Sequence, residues 1–261
     1  MSKLGRLHPT KPHPAGRLCL TTLLAVFLAL LPAACGRVAS DPDKRPFVVA
    51  TTGMIAEMVA RIGGTDVRVE GLMPTGVDPH LFKPSQGDVQ RLGRADVIFY
   101  NGLHLEGKMT EILARMARYR PAVAVAEQVP PGELLAVKDF EGQYDPHLWF
   151  DVRLWSKVLD PIERALIELL PEQAETIRDR ATALRTELLE LDAWAETALS
   201  VVPPEHRVLV TAHDAFGYFG RRYGFEVLGL QGISTATEAG LQDVERLVHR
   251  IVQDRRQPRD A

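Results

Sequence analysis

The sequence predicts an α/β fold: two βα lobes with parallel sheets, joined by a long rigid helix, the second lobe incomplete. Three observations carry this. Short apolar strands alternate with helical segments from Phe47 to about Pro130. A long helical stretch then runs from Pro171 to about Val201 before Pro203-Pro204 stops it. After those prolines the alternation resumes with two strands. Strands separated by helices argue for a parallel sheet covered on its faces.

Taken in order, Phe47–Thr51 reads as a buried strand, and Met54–Ile62 as a helix ended by Gly63-Gly64. Val67–Leu72 alternates apolar and polar residues, as a strand does. Pro84–Leu92 is a helix opened by Ser85, Asp96–Tyr100 a third strand, Met109–Ala117 a helix and Ala122–Ala126 a fourth strand. Leu154–Leu170 is helical. In the long helix, Ala174, Ile177, Ala181, Leu184, Leu188, Leu191, Ala195 and Ala198 form a stripe at steps of three and four. Such a stripe fits a coiled-coil seam or a spine packed along two lobes. The βα units on both sides favour the spine. Arg207–Thr211 and Phe225–Gly229 are strands flanking a helix over Ala215–Tyr223, and Leu241–Val252 is a helix with one apolar face.

The first 17 residues carry Lys3, Arg6, Lys11 and Arg17 and no acid, and Leu18–Leu31 is almost wholly apolar. That run falls short of the ~20 residues a membrane-spanning helix needs. With the small residues Ala33-Ala34 it reads as a secretory signal peptide over residues 1–35. Leu31-Pro32-Ala33-Ala34-Cys35-Gly36 resembles a bacterial lipobox, which makes Cys35 the lipid-bearing residue, although Pro32 departs from the aliphatic usual there. Ordinary cleavage near Ala34 is the alternative. Residues 36–46 are polar and Pro-containing, a tether. The expected organisation beyond it is a metal-binding lobe over 47–153, a helical spine over 154–203 and a C-terminal lobe over 204–261.

Cys19 and Cys35 are the two cysteines, both in the leader, so the mature chain has no thiolate to offer a metal and no disulfide. Removing the leader lowers Lys+Arg from 31 to 27 against 34 acids, a formal charge of −7. An acidic chain without basic runs argues against a nucleic-acid partner.

Asp-Pro-His occurs twice, at Asp78-Pro79-His80 and Asp145-Pro146-His147, each time before a bulky apolar run. A third His-Asp pair, His213-Asp214, follows the apolar strand Val208–Thr211. Proline holds the preceding Asp in extended geometry and removes a donor, so the His is presented at a turn. Metal-bound imidazole usually gives its other N–H to a carboxylate, for which Asp78, Asp145 and Asp214 are candidates. His80, His147 and His213 are therefore the candidate ligands. Three neutral imidazoles suit Zn2+, and an added carboxylate also admits Mn2+ or Fe2+. His104 and Glu238 are weaker candidates, Glu238 for a fourth position, while His206 and His249 read as surface residues. An open three-His site is also the layout of a zinc hydrolase. No His-Glu-x-x-His helix, nucleophile elbow or glycine-rich phosphate loop appears in the sequence, so the chain is not expected to be an enzyme.

Five stretches in this order resemble the extracytoplasmic solute-binding proteins of zinc/manganese ABC importers, a cluster that includes adhesin-like metal-binding lipoproteins. They are Gly76–His80, Tyr100–Glu106, Asp145–Asp151, Thr211–Phe219 and Gln231–Thr235. The resemblance covers residues 47 to about 252. It implies metal held in a cleft between the lobes by His80 and His147 from the first and His213 from the second. It also implies a monomer, anchored to the membrane by lipid in the periplasm or on the outer face of the cell membrane, delivering its ion to an ABC permease. A surface-adhesin role is the family-level alternative, and a non-functional truncated product another. Zinc-specialised relatives carry a His- and acid-rich loop before the second ligand, whereas Glu127–Tyr144 contains no His. Relatives also continue through further strands that bring a carboxylate to the site, so a truncated C-terminal lobe is expected here.

Overall fold

The computed structural model describes residues 44–137, 142–236 and 238–256. The chain divides into two compact units, Met1–Lys44 and Arg45–Ala261. Of the first only Lys44 is described. The expected signal peptide and the expected lipidation at Cys35 thus lie outside the described residues.

Its first sheet is parallel throughout. Strand β1 (Phe47–Ala50) pairs with both β2 (Arg68–Gly71) and β3 (Val97–Tyr100), and β3 pairs with β4 (Ala122–Ala124), giving the order β2-β1-β3-β4. All four residues of β1 are buried, as befits a central parallel strand covered on both faces. The faces divide by the two-residue period of the strand. Val48, Ala50, Val97 and Phe99 join a cluster with Ile55, Leu159, Ile162 and Leu184, while Phe47, Val49 and Ile98 pack with Leu92, Met109 and Leu113 on the other side.

Helix α1 (Gly53–Gly63) starts where the Thr52 hydroxyl accepts the Ile55 N–H and ends at Gly64, whose φ of 57° lies in the region glycine tolerates. Helix α2 (Gln86–Arg94) opens later than the sequence predicted. Ser85 is its cap, bonded reciprocally with Asp88, which leaves Pro84 outside. Helix α3 spans Thr110–Met116. Strand β4 is two residues shorter than expected, because Ala126 turns into a 3-10 segment, Ala126–Gln128.

The helix expected over 154–170 is split. Helix α4 (Val152–Trp155), capped by the Asp151 carboxylate on the Leu154 N–H, leads through a 3-10 turn into α5 (Leu159–Leu169). Helix α6 (Ala174–Leu199) has 26 residues, about 39 Å at 1.5 Å per residue. It packs on α1, α4 and α5. Ile177, Ala181, Leu184 and Leu188 are buried as predicted, but the stripe then departs from the prediction. Leu191 is 45 % exposed, and the buried position is Asp192, four residues after Leu188. The 3.6-residue turn carries the core face to 192, where a carboxylate meets the Arg222 guanidinium with Nε···Oδ1 at 2.8 Å and also accepts the Tyr223 hydroxyl at 3.1 Å.

The second sheet contains β5 (Val208–His213) and β6 (Glu226–Gln231), parallel and linked by α7 (Gly217–Tyr223). Strand β5 runs two residues past its predicted end, so His213 is itself a strand residue, opposite Gln231. Helix α7 begins at Gly217, two residues later than predicted, and Gly224 ends it at a φ of 74°. Helix α8 spans Leu241–Arg256 and packs on β6.

Candidate metal centre

Both Asp-Pro-His turns are built the same way. Asp78 Oδ1 accepts the His80 N–H at 2.9 Å, and Asp145 Oδ1 accepts the His147 N–H at 2.9 Å. The intervening proline has no N–H to compete, so the short carboxylate reaches the second amide and fixes the turn. The motif is thus a backbone device first. At Asp145 it is also a ring device, since Oδ1 accepts from His147 Nδ1 at 2.7 Å, which turns Nε2 inward. Asp78 differs: its Oδ2 accepts the Thr235 hydroxyl at 2.6 Å, tying the loop after β6 to the first turn.

The turns, and the end of β5, bring the three rings together. His80 Nε2 and His147 Nε2 are 3.2 Å apart. One ligand nitrogen from each of His80, His147 and His213 lies within 4.8 Å of the others. Ring centroids are separated by 5.3 Å for His80–His147, 6.0 Å for His80–His213 and 5.3 Å for His147–His213, all edge-on. Nitrogens about 2.0–2.1 Å from a tetrahedral metal stand about 3.3 Å from each other, so the His80–His147 pair already has the spacing that shared ligation requires.

Electrostatics favours the neutral form of His80 and of His213. Burial, with help from the neighbouring imidazoles, pushes His80 down to about 4, against the attraction of Asp78 and Asp145. Burial and His147 also lower His213, opposed by Asp78, Asp214 and Asp145. Neutral imidazole is the form that binds metal. His80 and His147 are buried, and His213 is partly so.

Among the described residues His104 and Glu238 are exposed and outside this cluster. His104 does line, together with His80, a cavity of about 560 Å³ beside the cluster. His206 and His249 are exposed. Asp214 donates its backbone N–H to the Gln231 carbonyl, placing it in the second sheet's end loop.

Several supporting residues were not singled out from sequence. Asn101 Nδ2 donates to the Pro146 carbonyl at 3.1 Å, next to His147. Buried Glu106 holds that loop by accepting from the Thr51 hydroxyl and the Asn101 and Gly102 amides, at 2.6, 2.7 and 3.1 Å. Burial raises its pKa against those bonds. The loop contains consecutive left-handed residues, Gly102, Leu103 and His104, with φ of 80°, 52° and 63°. Both Asn101 and Glu106 stand in the stretch that carried the family resemblance, but their roles depend on partners distant in sequence.

The family described as "ZnuA: Zinc-uptake complex component A periplasmic" matches residues 48–257. The zinc-binding protein TroA of Treponema pallidum is 46% identical over 237 residues, covering 91% of this chain and 76% of that protein. The manganese-binding lipoprotein MntA of Bacillus subtilis is also 46% identical, over 207 residues, covering 79% and 67%. The solved structure of the Treponema periplasmic zinc-binding protein superposes with a TM-score of 0.78 at 48% identity, covering 80% of this chain and 75% of that one. Fe(III)-bound YtgA from Chlamydia trachomatis gives a TM-score of 0.74 at 30% identity, covering 80% and 78%. With its parallel sheets, its long connecting helix and this match over nearly all of the second unit, the chain belongs to the ZnuA family of periplasmic metal-binding proteins.

Proposed function

We propose that this protein captures a divalent transition metal ion outside the cytoplasmic membrane and delivers it to an ABC permease, with His80, His147 and His213 as ligands. The observation that carries the ligand assignment is the convergence of three imidazole nitrogens, from distant parts of the chain, within 4.8 Å. Capture exchanges water for neutral nitrogen, and the depressed pKa of His80 means that little proton release is needed there at neutral pH. The Asp145 carboxylate accepts from His147 Nδ1, which fixes the tautomer and leaves Nε2 free to ligate.

Zn2+ suits three imidazoles best, with Mn2+ and iron as the alternatives. The relatives are named for zinc and manganese, and one is solved with Fe(III) bound. MntA and the Streptococcus mutans relative SloC are named as lipoproteins, which supports anchoring through Cys35. No described helix is long and apolar enough to cross a membrane. In this reading the protein works as a monomer, in transport and not in catalysis. Asp78 and Asp214 support the ligands, and Glu238 remains the candidate for a further donor.

Metal analysis of protein purified without added metal, followed by calorimetric titration with Zn2+ and Mn2+, tests the proposal. His80→Ala, His147→Ala and His213→Ala should each abolish tight binding, and His249→Ala should leave it intact. Equal loss in all four would show that folding had been measured, and retention in the first three would overturn the ligand assignment.

A further inference from the structure

We propose that Tyr218 is a positioning residue for the metal centre, whose hydroxyl clamps a hairpin base, the antiparallel pairing of 135–137 with 143–145, to α7 and so holds His147 and His213 at ligating separation. The inference rests on the metal-binding reading above. Tyr218 is fully buried. Its hydroxyl donates to the Asp145 carbonyl at 2.9 Å and accepts the Leu135 N–H at 3.1 Å. Asp145 N–H in turn donates to the Leu135 carbonyl at 2.8 Å, and Ala136 bridges Tyr144 in antiparallel fashion, so the phenol sits where the two arms of the hairpin meet.

This base is also the support of a ligand. The same Asp145 accepts both the backbone N–H and Nδ1 of His147. On the other side, Tyr218 lies in the first turn of α7, five residues after His213 at the end of β5. The chain of contacts runs from His213 through α7, Tyr218 and Asp145 to His147, whose ring centroid lies 5.3 Å from that of His213, and a bound ion would close it into a ring. The joint has no slack. A Cβ built on Gly217 would stand 3.1 Å from Asp145 Oδ2 and 3.3 Å from Leu135 Cδ1, so this glycine lets helix and hairpin close to contact.

Replacing the hydroxyl by hydrogen leaves the part-buried Leu135 N–H and the buried Asp145 C=O without this partner. The hairpin base can then shift or admit water, and the two histidines lose their fixed spacing. Dissociation should respond more than association, because affinity differences among variants of one site lie mostly in the off-rate. Other ties of α7 run beside this joint without bonding Leu135 or Asp145: Arg221 Nη1 donates to the Glu133 carbonyl at 2.8 Å, and Phe216 stacks on Phe150. The Tyr223 hydroxyl bonds Asp192 on α6 instead.

The full chain is loaded with Zn2+, challenged with excess chelator, and release is followed by stopped flow with a zinc indicator. Tyr218→Phe should release about tenfold faster than wild type, equivalent to about 1.4 kcal/mol. Tyr223→Phe makes the same chemical change farther along the helix and should lower the melting temperature while keeping the wild-type release rate. Gly217→Ala should also speed release, with Tyr218 intact, and carries the test if Tyr218→Phe does not fold. Wild-type release rates in the folded Tyr218 or Gly217 variants, whatever their melting temperatures, would overturn the clamp. A wild-type chain that binds no zinc or other transition metal would overturn the metal-binding reading itself, and this inference with it.

Discussion

The rings of Phe150 and Phe216 stack face to face, with centroids 4.0 Å apart and planes 29° from parallel. Each phenylalanine lies three residues after a site histidine, His147 and His213 respectively. The stack therefore joins the segment that carries His147 to the segment that carries His213. Phe216 also meets Phe219 edge-on at 6.3 Å, extending the contact into α7.

Truncating the stack should loosen the centre without touching a ligand. Phe216→Ala is expected to destabilise the metal-free protein by about 2–3 kcal/mol, since Phe216 is partly exposed and large-to-small core changes cost about 3–5 at full burial. Phe216→Leu should recover much of that loss. Urea unfolding measures both, and equal stability of the Ala and Leu variants would show that the stack contributes little.

Asp145 acts on His147 through a ring nitrogen as well as the backbone, so its charge should matter to the metal. Asp145→Asn keeps the shape of the turn but gives the imidazole a weaker acceptor. Metal affinity should fall by about 10–100-fold, the usual cost of losing such an outer partner. Calorimetric titration reads the change, and an unaltered affinity would mean that the 2.7 Å contact does not support ligation by His147.

His80 predicts a pH dependence of the metal-free protein. The unfolded chain takes up a proton on this ring near 6.5, the folded one only near 4. Between these values the unfolded state binds more protons. The contribution of neutral His80 is thus complete above pH 6.5 and is lost as pH falls toward 4, a change of about 3 kcal/mol. His213, also lowered, adds a term of the same sign. Unfolding free energies at pH 7, 5.5 and 4.5 should decline, and His80→Gln should flatten the decline. Identical slopes in both proteins would assign the effect to other groups.

Asp192 joins the spine to α7, accepting from Arg222 and Tyr223 on a mostly buried face. Asp192→Ala leaves the Arg222 guanidinium, whose side chain is 18% exposed, with the exposed Glu196 as its remaining carboxylate partner. Removing one member of a fully buried pair costs about 3–5 kcal/mol, and the residual exposure lowers the expected value to about 2 kcal/mol. Thermal unfolding with and without 1 M salt checks this, and a neutral substitution would show that the spine is held by its apolar residues alone.

Much of this protein was written locally in its chain. The alternation of β1 through β4 with helices followed from runs such as Phe47–Thr51 and from breakers such as Gly63-Gly64, because strand and helix periods and caps are properties of neighbouring residues. The Asp-Pro-His turns were legible for the same reason, as proline and a short carboxylate act within three residues. Tertiary structure decided the rest. Which carboxylate meets a ring was decided there: Asp145 Oδ1 accepts from His147 Nδ1, while Asp78 Oδ2 accepts from Thr235, 157 residues away. The partner that satisfies buried Asp192 is Arg222, 30 residues away, and the roles of Asn101, Glu106 and Tyr218 depended on groups remote in sequence. Side-chain chemistry and short-range sterics travel with the sequence, whereas proximity between distant segments exists only once both sheets and the spine have packed.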